Sequence, residues 1–401
     1  MVNLFLYGIL PETGSSEMIR EAAKRFVFVT LSLFFFSNFI FPQTFSHKGM
    51  FAGWLMGKFE EKVNPQLGFR YIPEFGFDTT LSKKYTLDAE LSLNLFGYAR
   101  FSSLTDISTD GKIDPYRLWA RFSSSQFEVR VGLQKINFGS AMLFRPLMWF
   151  DRLDPRDPLQ LTDGVYGLLM RYYFVNNGNI WLWGLYGNED PKGLEVVSTK
   201  KDAIEFGGRI QAPLWTGELA FTYHHRSADY SDVPLLGSYL SDPTIPENRY
   251  ALDGKWDIGV GFWFEGTLIH KQIEKSFNPY QKALTVGMDY TFGWGNGLNI
   301  LGEYFLFEAS QEVWSSGEGI HYAGLSLNYP LELLDTIGLI FFYDWDNNDL
   351  YSFVNWRRTY DRWSLNVVGF WNSERFQVYP TRGEDNQFAG KGFQIMVVYN
   401  Y

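Results

Sequence analysis

The chain has 401 residues, no cysteine and a formal net charge of −10 at pH 7. The missing cysteines exclude a disulfide framework, a thiol nucleophile and cysteine metal sites, and the acidic balance argues against nucleic acid as a partner. Aromatic residues make up 19% of the chain, although the mean hydropathy is only −0.18. Strands that alternate lipid-facing and lumen-facing residues combine these two properties, whereas a bundle of membrane helices does not. The composition therefore favours a transmembrane β-barrel, with a secreted sugar-binding sandwich or propeller as the alternative.

The N-terminal segment has the pattern of a secretory signal. Arg20, Lys24 and Arg25 precede residues 26–41, which are mostly Phe, Leu and Val. A basic stretch followed by an apolar run is typical of a signal peptide. We predict a signal region over residues 1–43, in which residues 1–17 are an upstream extension if translation starts at Met18. An uncleaved anchor helix is the alternative.

Strand-like segments follow the signal region at regular spacing to the end of the chain. The segments are 49–60, 66–78, 85–99, 116–124, 126–138, 164–176, 179–188, 203–212, 216–227, 248–256, 259–272, 281–293, 297–309, 319–329, 335–346, 349–360, 362–380 and 391–401. They predict an all-β fold: a single transmembrane antiparallel β-barrel domain over residues 44–401. The barrel is expected to have about 18 strands, or 16 if one strand has been split.

The connections between the segments alternate in length. The short connections are 123–125, 176–179, 213–217, 293–296 and 359–362. The long connections are 101–115, 139–163, 188–201, 228–247, 272–280 and 374–390. Outer-membrane-type barrels have short periplasmic turns and long extracellular loops, so this alternation predicts a barrel with two unlike ends.

The last segment is apolar at every second position, because Phe393, Ile395, Val397, Tyr399 and Tyr401 share one face. This ending resembles the C-terminal signal strand of bacterial outer-membrane β-barrels, which the barrel assembly machinery recognises and which closes the barrel. The resemblance implies the outer membrane of a Gram-negative bacterium as the location. It also implies the assembly machinery, membrane lipid and lipopolysaccharide as partners, and a last strand that runs towards the periplasm.

Charged side chains alternate with apolar ones along many of the segments. In 126–138, Val129 and Val131 share one face, while Glu128 and Arg130 share the other. An Arg or Lys that faces lipid at mid-depth costs about 2–4 kcal/mol, so the charged face is expected to line the lumen. The predicted pore-lining residues are Arg70, Glu90, Arg117, Arg121, Glu128, Arg130, Arg171, Glu205, Arg209, Glu218 and Arg226.

This set predicts a polar, water-filled passage in which opposed charges order polar solutes. It excludes an apolar lumen for fatty acids unless a plug provides the apolar site. The alternative is that the charged pairs satisfy one another and only stiffen the wall.

The segment 139–163 is rich in proline, aspartate and arginine, which alternate with aromatic residues. Such a loop is expected to be ordered, because proline restricts it and its charges offer local turns and ion pairs. It is too apolar for solvent, so we predict that it folds into the lumen. The predicted constriction residues are Arg145, Asp151, Arg152, Asp154, Arg156 and Asp157. A compact extracellular cap without a role in selectivity is the alternative.

A G-x-Q-x-x-N-x-G pattern over residues 132–139 leads into this loop. Together with the architecture, it resembles the alginate-export type of outer-membrane porin and related porin-like families. In those families a wide barrel carries an arginine-rich lumen for anionic solutes. The resemblance implies a similar barrel here, with a lumen suited to anions.

These features predict an outer-membrane porin, a channel for the diffusion of small polar solutes, anions among them. The Arg/Glu-lined lumen would be constricted by the 139–163 loop. A closed barrel with a surface-binding or structural role is the alternative.

An enzyme is a weaker alternative, because no nucleophile, zinc or phosphate-binding motif appears. The adjacent His224 and His225 lie near Asp229 and Asp232 in the sequence, and we interpret the pair as interfacial polar residues. The sequence predicts no metal site and no cofactor.

Overall fold

The computed structural model describes residues 43–59, 63–101, 106–233, 242–373 and 388–401. The predicted signal region lies outside the described residues apart from Gln43. Most of the predicted connection 374–390 also lies outside them.

The described residues form nineteen β-strands and one short 3-10 helix at Lys275–Phe277. The strands are β1 (Gln43–Phe59), β2 (Val63–Ser82), β3 (Tyr85–Phe101), β4 (Ile107–Ser123), β5 (Phe127–Gln134), β6 (Val165–Tyr173), β7 (Asn179–Tyr186), β8 (Ser198–Thr199), β9 (Ile204–Leu214), β10 (Gly217–Asp229), β11 (Thr244–Asp257), β12 (Gly261–Lys271), β13 (Tyr280–Phe292), β14 (Leu298–Ser310), β15 (Glu318–Pro330), β16 (Asp335–Asp344), β17 (Asp349–Thr359), β18 (Trp363–Trp371) and β19 (Lys391–Asn400). Within this part of the chain no helix is long and apolar enough to cross a membrane.

The strands form one antiparallel sheet that closes on itself where β1 pairs with β19. The two-residue strand β8 is not part of this ring, because it pairs only with β10 while β7 pairs directly with β9. The barrel wall therefore has 18 strands, each paired with its neighbours along the chain. The predicted antiparallel barrel of about 18 strands is confirmed.

The closing seam joins the last residue to the first strand. The backbone nitrogen of Gly49 donates to the carbonyl oxygen of Tyr401 at 3.2 Å, and the nitrogen of Tyr401 donates to Gly49 at 3.1 Å. The Tyr401 hydroxyl also lies 2.8 Å from that of Tyr71 on β2. A Cβ on Gly49 would lie 2.7 Å from the backbone carbonyl oxygen of Ile72, so the seam needs glycine at this position.

Several of the predicted boundaries are wrong, and two of them affect how the wall and the loop after β5 are described. Strand β4 begins at Ile107, so most of the predicted connection 101–115 belongs to the wall. The register between β3 and β4 shifts at Ser92 and Leu93, opposite Pro115, and a bulge is where a strand tolerates proline. Strand β5 ends at Gln134 instead of residue 138, because the chain turns into the barrel there.

The two faces of the wall differ in exposure at alternating positions. On β7 and β9, Leu182 and Ile210 are 55% and 58% exposed, whereas Trp183 and Arg209 are 4% and 3% exposed. The exposed face is apolar and suits lipid, while the other face turns towards the lumen. All predicted pore-lining residues fall on the lumen-facing phase of their strands.

The lumen is not polar all round, although the sequence predicts a polar interior lined by Arg and Glu. Strands β14, β16 to β19 and β1 turn apolar side chains inward. These side chains are Ala52, Trp54, Met56, Leu301, Phe305, Phe342, Tyr351, Phe353, Val368, Phe370, Met396 and Val398. The last strands are apolar in both phases: on β19, Met396 and Val398 lie between the lipid-facing Ile395 and Val397. The predicted pore-lining residues, which lie on β2 to β6, β9 and β10, therefore line only one part of the wall.

Candidate functional site: the loop inside the barrel

Residues 135–164, here called the inward loop, leave the wall between β5 and β6. Gly132 and Gly139 have φ values of 117° and 93°. A Cβ on Gly132 would lie 2.1 Å from the Leu118 carbonyl oxygen, and one on Gly139 would lie 2.3 Å from Oε1 of Glu265. Between them, Gln134 is fully buried and donates to backbone oxygens of β5 and β6 at 3.2 and 3.0 Å. The G-x-Q-x-x-N-x-G pattern thus specifies how the loop enters the barrel.

Glu303 on β14 anchors the far side of the inward loop. Its Oε1 accepts the backbone N–H of Met142 at 2.6 Å, and its Oε2 accepts those of Leu143 and Phe144 at 2.9 and 2.7 Å. The indole nitrogen of Trp263 donates to Oε1 at 2.9 Å. Glu303 is 4% exposed, so one buried carboxylate satisfies four donors that would otherwise be unpaired.

Glu265 on β12 provides a second anchor. It is fully buried and accepts the backbone N–H groups of Ala141 at 2.7 Å and Leu147 at 3.2 Å. The Thr285 hydroxyl donates to the carbonyl oxygen of Phe144 at 2.8 Å. The sequence interpretation missed both glutamates. Each glutamate is the single carboxylate at the inward-facing positions of a mostly apolar segment, and this was the signal that the sequence offered.

The beginning of the inward loop packs against β7 and β10 through aromatic rings. Phe138 stacks on Trp183 with ring centroids 5.8 Å apart, and Phe150 meets the His224 ring edge to face at 4.9 Å. The indole nitrogen of Trp183 donates to Nδ1 of His224 at 3.3 Å, and Nε2 of His224 lies 3.2 Å from Glu205. The predicted pore-lining Glu205 thus supports the packing of the loop.

The two adjacent histidines have different positions. His224 is fully buried in the lumen wall, so its interpretation as an interfacial residue is wrong. His225 occupies the opposite phase, and its Nδ1 lies 3.1 Å from Oδ1 of Asn248. Among the described residues, no cluster of three or more His, Asp or Glu side chains is placed to hold a metal ion.

Several charged residues of the inward loop stabilise the loop itself. Arg145 is 8% exposed and donates to Oδ1 of Asn137 and, at 3.3 Å, to the carbonyl oxygen of Phe138. Arg156 forms a bidentate ion pair with Asp154, with its Nη2 atom 2.6 Å from Oδ2. These contacts fix the direction of both arginines.

Three further predicted constriction residues also make local contacts. Asp151 is 1% exposed and accepts the backbone N–H of Arg152 at 2.7 Å, while Arg152 donates to the Pro191 carbonyl oxygen at 2.6 Å. Asp157 accepts the backbone N–H of Leu159 at 2.9 Å. Burial raises the pKa of both Asp151 and Asp157.

An arginine cluster (Arg121, Arg130 and Arg171) lies on β4, β5 and β6, near the short-turn end of the barrel. All three guanidinium groups lie around Glu128, at 3.5, 3.9 and 2.9 Å. Asp88 pairs with Arg121 at 2.5 Å. Three cations thus share two carboxylates, which leaves a formal excess of one positive charge.

Aromatic rings hold two of these arginines in place. The guanidinium carbon of Arg130 lies 4.6 Å from the ring centroid of Trp119, and that of Arg171 lies 3.8 Å from the ring of Trp181. Stacking of this kind orients a guanidinium without neutralising it.

The other predicted pore-lining residues of β2 to β4 are only partly engaged with the loop. Arg117 donates to the carbonyl oxygen and hydroxyl of Thr162 at 3.0 and 2.8 Å, which holds the end of the inward loop. Arg70 lies over the ring of Phe96 at 4.7 Å. Glu90 is partly exposed on the lumen-facing phase of β3.

A buried network of four charges joins β10 and β11 to the connection between β7 and β9. Arg226 lies 2.7 Å from Glu247 and 3.0 Å from Glu195, and Arg249 lies 2.9 and 2.6 Å from the same two carboxylates. Neither arginine exposes more than 2% of its surface. For Arg226, the structure therefore favours the alternative in which charged pairs stiffen the wall.

The predicted pore-lining residues Arg209 and Glu218 differ in burial and in the partners that they contact. Arg209 forms a bidentate pair with Asp253 at 2.6 and 2.7 Å and also donates to Thr222 at 2.9 Å. Glu218 is exposed near the short turns and accepts a hydrogen bond from Nε2 of Gln211 at 2.5 Å.

A cavity of about 730 Å³ lies below the inward loop, towards the short-turn end of the barrel. Its ionisable lining residues are Arg145, Arg156, Arg357, Lys255, Asp157 and Glu218. Three predicted constriction residues therefore reach this cavity, whereas Asp151, Arg152 and Asp154 do not line it. The arginine cluster does not line it either.

No protein-family model matches the chain, and no curated protein sequence matches it. Solved structures do resemble its fold. Acinetobacter baumannii OccAB4 aligns with a TM-score of 0.54 at 9% identity, covering 90% of this chain and 99% of that one. Pseudomonas aeruginosa OccK7 (OpdD) aligns with a TM-score of 0.52 at 10% identity, covering 89% and 98%. An outer-membrane protein of Vibrio cholerae, OmpT in its trimer form, reaches 0.50 at 12% identity, covering 90% and 100%.

These similarities identify the class of fold: a closed antiparallel barrel of the kind found in outer-membrane proteins. At such low identity they show the fold alone. The finer resemblance to the alginate-export type is not among them.

Proposed function

We propose that this protein is a porin-type channel of the outer membrane of a Gram-negative bacterium, through which small polar solutes, anions among them, diffuse. The observation that carries the proposal is the inward loop, which Glu265 and Glu303 hold across the lumen. A loop fixed in this way narrows an aqueous passage without filling the whole cross-section. The cavity of about 730 Å³ below it supports this arrangement.

The proposed location follows from the apolar outer face and the alternation of loop lengths. Long loops would face the exterior and short turns the periplasm. The aromatic last strand would serve as the recognition signal for the barrel assembly machinery. Membrane lipid and lipopolysaccharide would surround the barrel.

The preference for anions rests on the arginine cluster. Its formal excess of one positive charge lies on the lumen-facing side of a low-dielectric wall, where a local charge biases the entry of ions. Trp119 and Trp181 keep Arg130 and Arg171 extended over their rings. Arg130 and Arg171 each expose 15% of their side chains, although Glu128 lies nearby.

Planar-bilayer recording of the purified full-length barrel tests the channel function. We expect discrete conductance steps and, in a salt gradient, a reversal potential of anion-preferring sign. Arg130→Ala and Arg171→Ala should each shift this potential towards zero. Lys275→Ala is the matched control, because Lys275 is an exposed cation outside the barrel lumen.

The alternative is a closed barrel with a surface-binding or structural role. The observation in its favour is that Leu159, Leu194 and Phe388, from three different connections, all pack on the apolar part of the lumen wall. A complete lack of conductance from correctly folded, heat-modifiable protein would overturn the channel proposal and leave this alternative. An enzymatic role is not proposed.

A further inference from the structure

We propose that the cavity below the inward loop is a binding site for a small organic anion with an apolar body. The inference deepens the proposed function and rests on it, because a solute would reach this cavity through the barrel. It concerns residues outside the arginine cluster. Four features of the cavity carry it: an excess of cations, arginines that are held in fixed directions, an apolar side and a suitable size.

Within the described residues, three cations of the cavity have no carboxylate partner. No carboxylate oxygen of this part of the chain lies within 4.0 Å of the charged nitrogens of Arg145, Lys255 or Arg357. Glu218 lies directly across from Lys255 in the pairing of β10 with β11, but it is hydrogen-bonded to Gln211. The cavity lining holds four cations and two carboxylates, Asp157 and Glu218, so the formal balance is 4 − 2 = +2.

Polar atoms on the lining lack hydrogen-bond partners within the described residues. Nε of Arg145 and Oδ1 of Asn355 are buried and make no hydrogen bond there. Arg145 exposes only 8% of its surface, and hydrogen bonds to Asn137 and Phe138 fix the direction of its guanidinium group. Its Nε atom has almost no accessible surface, so Arg145 acts on an anion in the cavity through the positive charge of its fixed guanidinium group.

Arg357 is a second cation held in a fixed position. Its Nε atom donates to Oδ1 of Asn366 at 2.8 Å, and one Nη atom donates to the Pro158 carbonyl oxygen at 3.1 Å. These contacts leave the other Nη atom for a ligand and connect the cavity to the end of the inward loop.

One side of the cavity is apolar. The apolar lining residues include Met142, Leu143, Leu301, Ile340, Phe353 and Val368. Asn299 and Asn328 lie between this surface and the short-turn end, and their amides can accept or donate hydrogen bonds. A ligand that satisfies both sides needs an anionic head and an apolar body. The volume of about 730 Å³ suits a small molecule.

Calorimetric titration of the full-length barrel in detergent tests this site without reference to conductance. The probes are benzoate, which has the charge and the apolar ring, acetate, which lacks the ring, and benzylamine, which reverses the charge. We expect benzoate to bind about tenfold more tightly than either of the others, as expected for a charged contact combined with ring burial. Equal affinities for the three probes would overturn the inference.

Variants assign the binding to this cavity. Arg357→Gln and Lys255→Gln should each weaken benzoate binding about tenfold, the size of one charge-assisted contact. Ile340→Thr should weaken benzoate binding but leave acetate unchanged. Lys275→Gln, an exposed cation away from the cavity, should change neither. Benzoate binding that survives both cation variants would show that the site lies elsewhere.

The two proposals can fail separately. Conductance steps without benzoate binding would remove the binding site and leave the channel. Benzoate binding that depends on Arg357, in a barrel without conductance, would remove the channel and leave the site.

Discussion

Oε2 of Glu303 lies 2.7 Å from the backbone nitrogen of Phe144, although the loop that carries Phe144 leaves the wall eight strands earlier. These eight are β6, β7 and β9 to β14 in a ring of 18. The contact therefore joins nearly opposite parts of the wall. Because backbone donors meet a carboxylate there, the position of the loop is specified by hydrogen-bond geometry as well as by apolar packing.

Glu303→Gln should release the far side of the inward loop. The amide has one acceptor oxygen instead of two, so buried N–H groups of residues 142–144 lose partners at about 1–3 kcal/mol for each donor. We expect larger and noisier single-channel conductance, with the barrel still folded. Glu308→Gln is the matched control on the same strand, because Glu308 pairs with Lys282 away from the loop. Equal conductance in the two variants would show that Glu303 does not hold the loop.

Gly139→Ala should disturb the same anchoring of the inward loop from the loop side. The new Cβ would lie 2.3 Å from Oε1 of Glu265, at a backbone φ of 93°. Gly259→Ala is the control, since Gly259 has a φ of 92° but no neighbouring atom within 4 Å of the position that its new Cβ would take. Both variants bear backbone strain of about 1–3 kcal/mol, so both should unfold at a lower temperature. A change in conductance confined to Gly139→Ala would separate the steric contact with Glu265 from strain.

The fold was predictable from the sequence because alternation is a local property. The charges of Glu128, Arg130, Arg171 and Arg209 mark the lumen-facing phase wherever the other phase is apolar. The same rule gave no information on β19, where Met396 and Val398 are as apolar as their lipid-facing neighbours. The apolar part of the lumen was therefore not predictable from the pattern.

The candidate site was predictable only in outline. Proline and aspartate in the 139–163 segment indicated an ordered loop inside the barrel, which the structure shows. Its anchors, Glu265 and Glu303, lie more than a hundred residues away in the sequence, and a single sequence contains no signal for such a pairing. The same limit applies to Arg226 on β10, whose partner Glu195 lies in the connection between β7 and β9.

Asp253→Asn should destabilise the barrel wall rather than change its selectivity. Arg209 and Asp253 expose only 3% each of their surfaces, and breaking a buried pair by removing one charge costs about 3–5 kcal/mol. We expect a lower temperature for the heat-induced mobility shift on gels. Glu312→Gln, which breaks the exposed pair with Lys275, should leave this temperature unchanged, because surface pairs contribute little. An unchanged transition in Asp253→Asn would show that the pair is not needed for stability.

Acidic pH should favour the docked position of the inward loop. Burial raises the pKa of Asp157, and Asp154 raises it further, against the opposing effects of the Leu159 N–H and nearby arginines. The docked loop therefore binds the proton more tightly than a released loop does. Its docking is most stable below the ordinary aspartate pKa of about 3.9 and loses stability as pH rises through the raised pKa.

The expected contribution of Asp157 and Asp151 is a decrease in single-channel conductance and open-channel noise as the pH is lowered from about 7 to about 4, measured as the difference between the unchanged protein and the variants. Asp157→Asn should reduce this pH dependence by removing one of the two loop carboxylates with a raised pKa, and Asp151→Asn in addition should reduce it further. Asp361→Asn, at an exposed turn, serves as the control and should keep the full dependence. Conductance that rises on acidification, or a dependence that survives both loop substitutions, would mean that other groups control the position of the loop.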